Sequence, residues 1–109
     1  MTTPSRRQRV EAMLADDPRD TFLRYSLAME LAKEGEHEPS LEQYRSLMAD
    51  DPPYVPAFFM AGQQLAQLGR VGEARSVLRN GIEQARQQGN DHAAGEMSEL
   101  LASLGQLGE

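Results

Sequence analysis

The stretch ADDPRD, residues 15–20, returns 34 residues later as ADDPPY, residues 49–54. An acidic, alanine-rich chain could write Ala-Asp-Asp-Pro twice by chance, so the residues outward from it decide. Shifting the chain by 34 places Asp16 on Asp50, Asp17 on Asp51 and Pro18 on Pro52. The same shift places Leu31 on Leu65, Ala32 on Ala66 and Gly35 on Gly69. Three apolar columns then run through three copies: Val10, Tyr44, Leu78; Met13, Leu47, Gly81; and Leu14, Met48, Ile82. Columns of that kind mark an internal repeat.

The apolar spacing inside each copy is helical. Leu23, Leu27, Ala28 and Leu31 fall on one face, as do Leu41, Tyr44, Leu47 and Met48. Val77, Leu78, Gly81 and Ile82 repeat the pattern, followed by Met97, Leu100, Leu101 and Leu104. Short breaks separate these runs: DDP at 16–18, EGEHEP at 34–39, DDPP at 50–53, LGRVG at 68–72 and QGND at 88–91. The spacing predicts six helices, near 5–16, 19–34, 38–50, 54–68, 71–88 and 90–104. Glycine after a helix can take the left-handed conformation that ends it. Proline cannot continue a helix and presets the first turn of the next. The acid before each proline is expected to cap the helix that follows.

With 109 residues, 39% hydrophobic and 26% charged, the chain reads as one ordered domain, 1–109. The absence of cysteine excludes disulfides, thiolate metal sites and a thiol nucleophile. No window approaches the length of apolar sequence that spans a membrane, and the basic start carries no apolar run behind it. A cytoplasmic protein is therefore expected. The net charge of −6 repels polyphosphate, which argues against nucleic acid as a partner.

Period and pattern together resemble the tetratricopeptide repeat family, whose unit is two antiparallel helices, A and B, in about 34 residues. The resemblance implies an all-α, right-handed α-α superhelix of helical hairpins. It places a B-type half-repeat at 5–16, whole repeats at 21–54 and 55–88, and an A-type capping helix at 90–104. Two whole units and two halves come to roughly the three repeats such stacks need, so the chain is expected to be a complete stack. Small residues belong where helices A and B cross, and these are Ala28 and Ser40, then Gly62 and Ala74. Two positions depart from the pattern: Arg24 stands where a large aromatic is expected and Phe58 supplies one in the next unit. The second unit also lacks a closing proline, and its B helix is expected to be longer by about half a turn.

Nothing in the sequence assembles a catalytic constellation, and no enzyme, metal or cofactor is expected. The cluster Glu34, Glu36, His37, Glu38 reads as a solvated turn, since neighbours in a turn point apart. Arg75, Arg79 and Arg86 read as an exposed helix face, and Arg6, Arg7 and Arg9 are too few, without interleaved aromatics, for a nucleic-acid surface. The resemblance implies that A helices line a concave groove for a peptide or helix of a partner. The lining positions are Phe22, Tyr25, Met29 and Lys33, then Pro56, Phe59, Gln63 and Gln67, then His92 and Glu99. Phe22, Tyr25 and Met29 form a stripe beside the core stripe of Leu23, Leu27 and Leu31, with Tyr25 and Phe59 the expected anchors. The family's Lys/Asn clamp for chaperone-tail carboxylates is replaced by Tyr25, Met29, Phe59 and Gln63, so that ligand is not expected. The expected function is a non-catalytic adaptor for an unidentified protein or peptide. The alternative is a homo-oligomerising or spacer domain, a weak homodimer whose apolar stripe meets a second copy.

Overall fold

A computed structural model of the chain describes residues 3–105. Its described residues form six helices and no strand: α1 Arg6–Asp16, α2 Thr21–Lys33, α3 His37–Met48, α4 Val55–Gln67, α5 Val71–Gln87 and α6 Asp91–Leu104. Each end lies within two residues of the boundary expected from spacing. The fold is all-α and built from helical hairpins. The chain divides between Asp50 and Asp51 into two compact units, the first holding α1–α3 and the second α4–α6.

The helix ends correct one expectation. The acids of the two ADDP stretches do not cap the helices that follow. α1 stops at Asp16, and the chain turns through Asp17, Pro18 and Arg19 before Asp20 caps α2, accepting from the Leu23 N–H at 2.8 Å. In the second copy Tyr54 precedes α4 without a side-chain cap, and Pro56 sits in its first turn. The Asp51–Pro52 peptide is cis. The tetrapeptide therefore ends a helix but does not start one. At the first helix the start signal is Ser5, whose hydroxyl accepts from Gln8 N–H at 3.1 Å while the Gln8 side chain accepts from Ser5 N–H at 2.8 Å.

Glycine ends α2, α4 and α5 alike. Gly35, Gly69 and Gly89 have φ of +80°, +79° and +74°, a region closed to most side chains. Behind each, an N–H returns to the helix: Glu36 to Leu31 O, Arg70 to Leu65 O and Asn90 to Ala85 O, at 2.9, 2.8 and 2.7 Å. Gly89 thus replaces the closing proline that the second unit lacks, and the adjacent Asn90 caps α6 by accepting from Ala93 N–H at 3.1 Å. With that later stop, α5 runs to 17 residues against 12 for α3. The excess is more than one turn rather than the expected half.

In the first unit, α2 packs against α1 and α3. Leu41, Tyr44 and Leu47 of α3 are fully buried, while Val10 of α1 meets Leu27 and Leu31 of α2, with Leu14 packed alongside. Ser40, at the close crossing of α2 and α3, is fully buried, and its hydroxyl donates to Ala28 O at 2.6 Å. The bond satisfies the one polar atom that a smaller alanine would have spared.

Arg24, where an aromatic was expected, has a different task. Its guanidinium donates to both Asp50 oxygens, at 2.6 and 3.2 Å, and to Ser46 Oγ at 2.6 Å, tying α2 to the end of α3. The bond from Arg24 holds the Asp50 carboxyl below its ordinary range. A depressed folded-state pKa contributes stability above the unfolded value, near 4, that is lost as pH falls through the folded value. We expect Asp50→Asn to lower the stability of the first unit by about 1 kcal/mol at pH 7. That deficit should shrink in urea melts as pH falls below the unfolded carboxylate value and vanish only below the lower, folded-state value. A deficit unchanged at low pH would mean that the ion pair is not its source.

In the second unit α5 packs on α4 and α6, and α4 also meets α6. Phe58, Ala61 and Leu65 of α4, Leu78 and Ala85 of α5 and Met97 of α6 are buried. Gly62 lies against Leu78, and Gly81 lies against both Phe58 and Met97. Arg75, expected on an exposed face, is instead 7% exposed, and its guanidinium donates to Leu104 O at 2.6 Å. It caps the carbonyl end of α6, where a cation is favoured by the helix dipole.

Candidate functional site

Among the described residues no group of three or more His, Asp or Glu side chains is arranged to hold a metal ion. The 34–38 turn is drawn apart by its own structure: Glu34 pairs with Arg7 of α1 at 2.9 Å, and His37 opens α3. Arg6 pairs with Glu30 at 3.0 Å, so two of the three N-terminal arginines stitch α1 to α2. No helix among the described residues is long and apolar enough to cross a membrane.

The faces expected to meet a partner lie on α2 in the first unit and on α4 and α6 in the second. On α2, Phe22 is 69% exposed, the most exposed large apolar side chain among the described residues. Tyr25 and Met29 are half-buried, and Lys33 reaches back to Glu30 at 3.3 Å with its side chain in solvent. Tyr25 also packs edge-on against Tyr44 with ring centroids 6.0 Å apart. It therefore joins the core to the surface rather than lying wholly outside the core. On α4, Phe59 and Gln63 are half-buried, while Pro56 and Gln67 are exposed. His92 and Glu99 of α6 are exposed, His92 lying 3.2 Å from Glu96.

The structure brings Phe22, Tyr25, Met29 and Lys33 onto one side of α2, and Phe59, Gln63 and Gln67 onto one side of α4, as helical spacing requires. It also shows apolar surface that the spacing did not mark. Met13, in the same column as buried Leu47 and Gly81, is 49% exposed, and with Phe22 it borders a groove of about 370 Å³ between α1 and α2. The signal was in the columns: Met13 stands in a column whose other members, Leu47 and Gly81, are buried under a neighbouring helix.

The helical-hairpin fold of these units is tetratricopeptide-like. The chain is 29% identical to a tetratricopeptide repeat domain protein of Salinibacter ruber solved by NMR, with a TM-score of 0.78 over 84% of this chain and 93% of that one. A crystal structure of a tetratricopeptide repeat domain protein from the same organism gives 29% identity and a TM-score of 0.72, over 82% of this chain and all of that one. A Bordetella parapertussis protein solved in solution is 26% identical, with a TM-score of 0.80 over 95% of this chain and 90% of that one. No family model and no curated protein matches the sequence. The fold is tetratricopeptide-like, and folds of this type serve protein–protein interaction in general and are generally non-enzymatic.

Proposed function

We propose that the chain is a non-catalytic adaptor that binds a peptide or helix of a partner protein through the outward faces of its A-type helices. Residues 21–54 and 55–88 are its whole repeats in this reading, flanked by half-repeats at 5–16 and 90–104, and it works in the cytoplasm with a protein rather than nucleic acid as partner. The observation that supports it most is Phe22, a large aromatic held 69% exposed in line with Tyr25 and Met29 while Leu27 and Leu31 fill the core. Exposed aromatic and methionine side chains on a rigid helix are the residue types that anchor interfaces.

Phe22, Tyr25 and Met29 supply apolar contact, Lys33 a terminal charge, and Phe59 with Gln63 and Gln67 a more polar counterpart on α4. The test is capture from native lysate by the wild-type chain and by Phe22→Ala, Tyr25→Ala and Phe59→Ala. Each variant is first checked by thermal melting, because Tyr25 also supports Tyr44. An anchor of this kind contributes about 2 kcal/mol, so Phe22→Ala should reduce retention of a bound partner by roughly thirtyfold. Partners retained unchanged by all three folded variants would overturn the assignment of these faces.

A further inference from the structure

The groove between α1 and α2 is lined by the apolar Val10, Met13, Phe22 and Leu23 together with Arg6, Arg9 and Ser26. Its counterpart elsewhere in the chain is filled. α5 carries the next-but-one copy of α1, and there α4 lies across α5 and α6, with Phe58 against Gly81, the residue in the column of Met13. The seat that α4 occupies in the second unit is therefore open in the first, at the place where the repeat pattern sets an A-type helix. Three A-type helices exist in the described chain. α2 is packed between α1 and α3, and α4 between α5 and α6. α6 presents a free side with Gly95, Glu99 and Ala102 exposed on one stripe, Glu96 exposed beside it, and Leu101 half-exposed.

Charge selects the occupant. On a chain of net −6, α1 opens with Arg6, Arg7 and Arg9, whereas α6 carries Asp91, Glu96 and Glu99 and no Lys or Arg. Arg6 and Arg7 are engaged by Glu30 and Glu34; Arg9 is exposed and lines the groove with no carboxylate bonded to it among the described residues. Small residues on the stripe of α6 leave room for Phe22 and Met13 to seat. We infer that the α1–α2 groove takes α6 of a second copy of this chain, head to tail, with Glu96 and Glu99 facing Arg9. Such a contact is heterologous: each copy keeps one open groove and one open α6, so association continues beyond a dimer.

This goes beyond the adaptor reading but shares Phe22 and Glu99 with its faces, so it is tested on the purified chain, where no foreign partner is present, and through Arg9, which belongs to none of those faces. The experiment is sedimentation velocity of the whole chain from micromolar to millimolar concentration, for wild type, Arg9→Glu, Glu99→Arg and the double charge swap, with circular dichroism confirming that each is folded. The expected result is a sedimentation coefficient that rises with concentration in the wild type. Each single reversal should weaken association by about tenfold, and the swap should restore it. A wild type that is monomeric throughout overturns the inference and leaves the groove to a foreign helix. Association indifferent to both reversals, or weakened by both and not restored by the swap, overturns it as well.

Discussion

Tyr44→Ala should unfold the first unit at ordinary temperatures, whereas Tyr44→Phe should leave it as stable or more so. Tyr44 is fully buried in α3 and is the largest side chain buried to that degree among the described residues. Truncating a buried aromatic to alanine costs about 3–5 kcal/mol, from lost transfer energy and the cavity left behind. A unit of some fifty residues has about that much to lose. The phenol oxygen is different. It is buried and bonds to nothing among the described residues, so it carries a desolvation cost of about 1–3 kcal/mol with no hydrogen bond to offset it. Phenylalanine keeps the ring and its edge contact with Tyr25 and removes that oxygen.

The same oxygen gives the unit a pH signature. Burial, with a lesser contribution from nearby Tyr25, pushes the Tyr44 hydroxyl above its ordinary value of 10.0. The folded state therefore holds this proton more tightly than the unfolded chain does. For an acid with a raised folded-state pKa, the stabilising difference is intact below the unfolded value and is lost as pH climbs above it. Wild type should lose stability in urea melts above about pH 10, and Tyr44→Phe should lose less over the same range. A Tyr44→Phe variant destabilised at pH 7 by more than about 1 kcal/mol would show that the hydroxyl has a partner.

Where the sequence could be read and where it could not follows from how each signal is written. Gly35 and Gly69 declare their turns because a helix must end in a left-handed residue there, and few residues other than glycine accept it. The apolar columns placed Tyr44, Leu47 and Leu78 in the core because burial on one helix face depends only on spacing. Arg24 and Arg75 escaped that logic. A long side chain can reach a distant acceptor, and neither Asp50 nor Leu104 O is in the local pattern. Burial of Arg75 depends on α6 ending beside it, a tertiary fact with no periodic trace.

The candidate faces show the same division. Spacing along α2 was enough to line up Phe22, Tyr25 and Met29, but it could not show that Tyr25 leans on Tyr44 while Phe22 stands free. Nor could it show the open α1–α2 groove, because Met13 occupies a column that is buried in the other two copies. A periodic pattern predicts which residues share a face. Only the neighbouring helix decides whether that face is covered.

Gly81→Leu should disrupt the second unit, and even Gly81→Ala should destabilise it, against the usual effect of that change in a helix. Replacing a mid-helix glycine by alanine ordinarily gains about 0.8–1.0 kcal/mol, because glycine loses more backbone freedom on folding. At Gly81 an added Cβ would lie 2.5 Å from Phe58 Cβ and 2.6 Å from Met97 Sδ. The Met97 thioether can swing away, but Phe58 Cβ is fixed to the backbone of α4, so the helices themselves must separate. Overpacking of this kind costs about 1–3 kcal/mol for one or two added carbons, which outweighs the propensity gain. Leucine adds three more carbons at the same crossing, and the expected loss exceeds about 3 kcal/mol. Gly72 is the control: it also lies in α5, has nothing within 4 Å of an added Cβ, and should give a more stable protein as alanine. Thermal melts of Gly72→Ala, Gly81→Ala and Gly81→Leu should therefore rank above, below and far below wild type. A Gly81→Ala variant as stable as Gly72→Ala would mean that α4 and α5 do not approach as closely as this crossing requires.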